Sequence, residues 1–157
     1  SEVWATDAAP HGLGACKSEW HHRSVCEIGR VAERWRFHLG AASARELEFG
    51  DLVLMSQLAP TWRPVPGKLM SSDKWKVVHS SKVSSDKPIH EKEGWGVLWV
   101  LKHLTRSERS FGRRHLTLCD NLGLVLSLSK GRAQSDSMNR ISTVAYIHLT
   151  LPTNLPV

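Results

Sequence analysis

From Glu91 to Leu104 the apolar residues Val97, Leu98, Leu101 and Leu104 recur at helical spacing, and Pro88 lies just upstream. Gly94 and Gly96 weaken the first turns of this helix by about 1 kcal/mol each relative to Ala, a loss that packing must make up. Strand-like segments stand on both sides. Val3-Trp4-Ala5-Thr6-Asp7-Ala8 runs into the breaker cluster Ala9-Pro10-His11-Gly12, and Leu13-Gly14-Ala15-Cys16 returns as the second arm of a hairpin. Trp75-Lys76-Val77-Val78-His79 has strand character, broken by Ser84-Ser85-Asp86-Lys87-Pro88, and His115-Leu116-Thr117-Leu118-Cys119 follows the helix. A second helix is expected from about Asn121 to Ser129, ended by Lys130-Gly131-Arg132 with Gly131 as a left-handed cap. A further helix is expected to begin near Ser135 or Asp136, ahead of Met138, Ile141 and Val144. The order strand, strand, strand, helix, strand, helix predicts an α/β fold with a mixed sheet flanked by helices.

The 157 residues make one ordinary domain, and 41% hydrophobic with 23% charged residues is a globular composition, not a disordered one. The formal charge of +6 fits either an anionic partner such as nucleic acid or a plain solvated basic surface. Three cysteines, Cys16, Cys26 and Cys119, form an odd set without paired spacing, which argues against a secreted disulfide framework. The expected setting is a reducing one inside the cell, cytoplasm or nucleus. No apolar run approaches the roughly 20 residues needed to span a bilayer, and Ser1-Glu2-Val3-Trp4 lacks the features of a signal peptide. The absence of an initiating Met reads as a piece cut from a longer chain. Residues 38–72, with Pro60, Pro64, Pro66 and Gly67, read as a surface excursion carrying a short helix around 44–54. The stretch from Val25 to Phe37, with Val31 and Trp35, fits helix and extended chain equally.

Acids stand at the ends of the first and fourth strands, Asp7 and Asp120, and at the start of the first long helix, Glu91 and Glu93. Phosphodiester hydrolysis needs a deprotonated water and a neutralised leaving oxygen, which two divalent ions roughly 3.5–4 Å apart provide. Converging carboxylates hold such ions because Mg²⁺ prefers oxygen ligands. Without metal they would repel one another, a cost tolerated for function. The apolar register from Val97 onward aligns Glu93 better than Glu91 with this role. The plainer alternative makes Asp7 and Asp120 turn or cap residues and Glu93 a solvated first-turn acid.

Ala5-Thr6-Asp7-Ala8-Ala9-Pro10-His11-Gly12-Leu13-Gly14-Ala15 resembles the first strand and hairpin of ribonuclease H domains. Ile89-His90-Glu91-Lys92-Glu93 resembles the segment that opens their first helix, and Leu118-Cys119-Asp120-Asn121 with Ser129-Lys130-Gly131-Arg132 resembles their fourth strand and the helix after it. Gly29-Arg30-Val31-Ala32-Glu33-Arg34-Trp35-Arg36-Phe37 is similar to a segment of such domains in retroelement polyproteins. The resemblance covers residues 3 to about 143, each motif being weak alone and their order carrying the weight. It implies a ribonuclease H-like domain over 1–143 from a retroelement reverse transcriptase polyprotein. Its reaction would be metal-dependent hydrolysis of the RNA strand of RNA–DNA hybrids. Asp7, Glu93 and Asp120 would be catalytic metal ligands for Mg²⁺ or Mn²⁺, two ions in all.

The departure from the pattern lies at the end of the chain. The family carries a fourth acid after a fifth strand, whereas Asp136 is the last acidic residue here and 144–157 is an atypical tail. Tyr146 to Leu151 is expected as an edge strand, the final helix is missing, and His148 is poorly placed to substitute for the acid. The alternatives are therefore an inactive truncated relic, or a nucleic-acid-binding or connection domain of the same fold. Loss of a C-terminal helix would expose apolar sheet surface and favour association.

Around the acids, Arg113, Arg114, Lys130 and Arg132 are candidates for holding phosphates, with Arg106 and Arg109 better read as solvated connector residues. Asn121 is a candidate contact to a sugar hydroxyl or a helix cap. Cys16, His21, His22 and Cys26 offer zinc-type ligands at a spacing that matches no common module, and His21 and His22 read more simply as exposed loop residues. Most of the seven tryptophans are expected in the core.

Overall fold

The computed structural model describes residues 1–30, 65–83 and 86–150. The expected helix at 44–54, most of the 38–72 excursion, and Val31, Trp35 and Phe37 lie outside the described residues.

Strands β1 (Glu2–Ala9) and β2 (Gly12–Glu19) form the hairpin, in the register Asp7 opposite Gly14 and Thr6 opposite Ala15. A short helix α1 (His22–Ile28) follows, so the ambiguous 25–37 stretch begins as helix through Ile28 and turns at Gly29 and Arg30. Strand β3 (Lys76–Lys82) pairs antiparallel with β2, with an irregularity at Ala15/Cys16. Helix α2 (Ile89–Thr105) then crosses the sheet, and β4 (Leu116–Cys119) adds parallel to β1. Helices α3 (Leu122–Lys130) and α4 (Asp136–Thr150) complete the chain. The sheet order is β3-β2-β1-β4, a mixed four-stranded sheet flanked by helices.

Helix α2 is buried on two sides. Val100 and Leu104 pack with Trp4 and Ala15 of the sheet, joined by the half-buried Val78 and Trp99. Val97 and Leu98 pack instead with Leu124 of α3 and with Met138, Ile141 and Ala145 of α4. This double burial explains the glycines that weaken the helix locally. A Cβ on Gly94 would meet the Ile141 side chain at 2.7 Å, so the missing side chain is what lets α4 lie this close. A Cβ on Gly96 would meet Thr6 of β1 at 3.4 Å, an ordinary contact.

The caps follow the local chemistry. Asn121 Oδ1 accepts from Leu124 N–H at 2.9 Å, and Gly131 closes α3 in the left-handed conformation, φ +69°. Ser135 Oγ accepts from Met138 N–H at 3.3 Å at the head of α4. The tail is a correction. Residues expected as an edge strand from Tyr146 continue α4 as far as Thr150. Tyr146 and Ile147 suit a strand by type, but the buried stripe Met138, Ile141, Ser142 and Ala145 keeps helical period and carries the helix through them.

Of the tryptophans described, Trp4 and Trp20 are buried, Trp75 and Trp99 half-buried, and Trp95 is 42% exposed. Trp20 and Trp75 meet edge to face at 5.8 Å. No described helix is long and apolar enough to cross a membrane.

Candidate metal centre

Parallel pairing sets the first half of the site. Thr6 of β1 lies beside Cys119 of β4, so the next residues along each strand, Asp7 and Asp120, emerge together at the same end of the sheet. Glu93 arrives from α2, whose path is set one turn further on by the approach of Gly96 to Thr6. The three side chains each bring a carboxylate oxygen to within 4.8 Å of the others. It is the one such cluster of metal-capable groups among the described residues.

The environments of the three differ. Asp7 and Asp120 are exposed, whereas Glu93 is buried. Burial pushes the Glu93 carboxyl above its ordinary value, and the negative charges of Asp120 and Asp7 add to the rise. A hydrogen bond donated by Asn121 Nδ2 to Glu93 Oε2 works in the opposite direction. Asn121 thus caps α3 with its oxygen and holds Glu93 with its nitrogen. Cys119, half-buried beside the cluster, has its thiol pushed up by burial and by the charges of Glu93 and Asp120. Glu91, the competing acid, is turned away: it accepts from Lys87 at 2.8 Å, and that bond holds its carboxyl below the usual range.

A residue unremarked in the sequence ties the centre together. Lys92 is buried and its Nζ donates to the Pro10 carbonyl, linking the first turns of α2 to the hairpin that carries Asp7. Lysine beside a candidate acid reads as a solvated charge, and only the fold turns it inward. A cleft of about 330 Å³ opens at the centre, lined by Glu93, Asp120, Asn121, Leu122 and Gly123.

The basic candidates are exposed and stand away from the carboxylates. Arg113 and Arg114 precede β4, at the opposite end of that strand from Asp120. Lys130 is the last residue of the nine-residue α3, roughly 13 Å along its axis from Asn121, and Arg132 follows the Gly131 cap. Of the suggested zinc ligands, Cys16 lies on β2 with Sγ 3.7 Å from the Ala5 carbonyl oxygen. His21 and His22 are exposed as expected; His21 precedes α1 and caps it, whereas His22 is the first residue of the helix rather than part of a loop. His22 Nε2 and Cys26 Sγ are 3.4 Å apart.

Compared with protein-family models, with curated proteins and with solved structures, the chain matches none.

Proposed function

We propose that the chain is a ribonuclease H-like, metal-dependent endonuclease that hydrolyses the RNA strand of RNA–DNA hybrids, acting inside the cell as part of a retroelement polymerase polyprotein. The observation that carries this reading is the convergence of Asp7, Glu93 and Asp120 from two neighbouring parallel strands and one crossing helix. An all-oxygen donor set of this kind suits a hard divalent cation, so the residues fit Mg²⁺ or Mn²⁺, and these three side chains would hold two ions. When bound, the ions would supply the positive charge that eases deprotonation of a water and neutralises the leaving oxygen.

The chain's own residues account for the rest. Asn121 fixes the rotamer of Glu93 while capping α3, and Lys92 fixes the hairpin against α2. Arg113, Arg114, Lys130 and Arg132 would contact phosphates at a distance from the cleaved bond, positioning a duplex without reading its sequence. Asn121 is the proposed contact to a sugar hydroxyl, the group that separates RNA from DNA.

A second reading, a nucleic-acid-binding domain of the same fold without catalysis, is favoured by one observation. The acidic cluster among the described residues has three members, where the resemblance implies four. The deciding experiment is cleavage of a labelled RNA–DNA hybrid with Mg²⁺ or Mn²⁺ by this chain and by Asp120→Asn at matched salt. Cleavage by the first and not the second is the expected result. No cleavage by either, with folding verified by circular dichroism, leaves the second reading; cleavage by both removes Asp120 from the site.

A further inference from the structure

We propose that His22 and Cys26 on α1 form a two-ligand site for a borderline-soft divalent cation such as Zn²⁺, separate from the carboxylate centre. Residues four apart on a helix share one face, and here the reacting atoms already meet, with Nε2 and Sγ 3.4 Å apart. A tetrahedral zinc ion holds nitrogen at about 2.0–2.1 Å and sulfur at about 2.3 Å, which places the two donors roughly 3.6 Å from each other. The pair therefore needs an adjustment of a few tenths of an ångström, within reach of side chains that are both exposed.

The other ring nitrogen has a partner that the required tautomer can use. His22 Nδ1 lies 3.2 Å from the Ser1 hydroxyl, and with Nδ1–H donating to Ser1 Oγ the lone pair of Nε2 faces the sulfur. An outer hydrogen bond of this kind orients metal-ligating histidines generally. With that tautomer the Cys26 thiol donates to Nε2 in the metal-free protein. The ion takes the place of the thiol proton, forming bonds to sulfur and nitrogen while the proton leaves to solvent, so binding weakens as pH falls. Cys16 takes no part, since its thiol lies on β2 against the Ala5 carbonyl. Water fills the remaining positions, so the ion exchanges readily.

The experiment measures the rate at which iodoacetamide alkylates Cys26 in the whole chain, resolved by peptide mass, with Zn²⁺, with Mg²⁺ or with neither. Zn²⁺ is expected to slow Cys26 alkylation and Mg²⁺ to leave it unchanged, because thiolate and imidazole suit the softer ion. In His22→Gln, loss of a direct ligand is expected to raise the Zn²⁺ concentration needed for half protection by roughly 10-fold or more, at least what loss of an outer partner costs. His22 is exposed, and circular dichroism verifies that the variant folds. Equal protection in His22→Gln, or none in the native chain, overturns the proposal. Because the readout is a thiol on α1, it is independent of whether the chain cleaves hybrids.

Discussion

Glu93 is buried among like charges, and its chemistry sets the first expectations at the scale of single residues. Its carboxyl is pushed above the ordinary 4.5 by burial and by Asp120 and Asp7, so the folded state binds its proton more tightly than the unfolded state does. That preference stabilises the fold below the ordinary glutamate range and is lost as pH rises through the elevated value. In chelator, the native chain is therefore expected to lose stability as pH rises above 4.5, and Glu93→Gln is expected to flatten that slope while still accepting from Asn121. Thermal denaturation across a pH series checks this; an unchanged slope in the variant would show that Glu93 is not its source. Asn121→Ala removes the cap on Leu124 N–H and the donor to Glu93 together. It is expected to cost about 1–2 kcal/mol in urea denaturation, at the upper end for a lost cap because a second bond goes with it.

At the scale of elements, the two glycines of α2 separate propensity from packing. Gly94→Ala gains helix propensity but drives a methyl group to 2.7 Å from Ile141 Cδ1, so it is expected to destabilise despite the gain of about 1 kcal/mol. Gly96→Ala meets Thr6 at ordinary contact distance and is expected to be stabilising by up to about 1 kcal/mol. A double-mutant cycle decides whether the clash is the cause: Ile141→Val deletes Cδ1, and in that background Gly94→Ala is expected to cost less. Strictly additive effects would point elsewhere. The α4 segment from Tyr146 shows the same competition from the other side, since residue types that suit a strand were overridden by a helical stripe buried against α2.

For the whole molecule, three carboxylates gathered at one end of a sheet repel one another, and a divalent ion bound there stabilises the folded state by mass action. Adding Mn²⁺ or Mg²⁺ is expected to raise the melting temperature, corresponding to about 2.7 kcal/mol at a hundredfold excess over the dissociation constant. Asp120→Asn is expected to lose most of that increment. An equal shift in the variant would place the binding outside the cluster. The net charge of +6 bears on the same scale: binding of nucleic acid is expected to weaken steeply with salt, and Lys130→Ala or Arg132→Ala to reduce that dependence if those residues contact phosphates.

Four strands and the helices α2, α3 and α4 were legible in the sequence in their order, because alternating and helical apolar periods, breaker residues and caps are local properties, whereas α1 was left open between helix and extended chain. The sequence also marked Asp7 and Asp120 as acids of the first and fourth strands, although Asp7 stands two residues inside the end of β1, and through the register running to Val97 it preferred Glu93 over Glu91. The tertiary structure decided which residues meet. The parallel pairing of β1 with β4 set the two aspartates side by side, and the Gly96 contact with Thr6 fixed the crossing of α2 above them. Lys92 turned inward to the hairpin and Asn121 reached Glu93, each meeting a partner distant in the chain. Such contacts depend on chain segments many residues apart arriving at one place, and no local period or spacing records that.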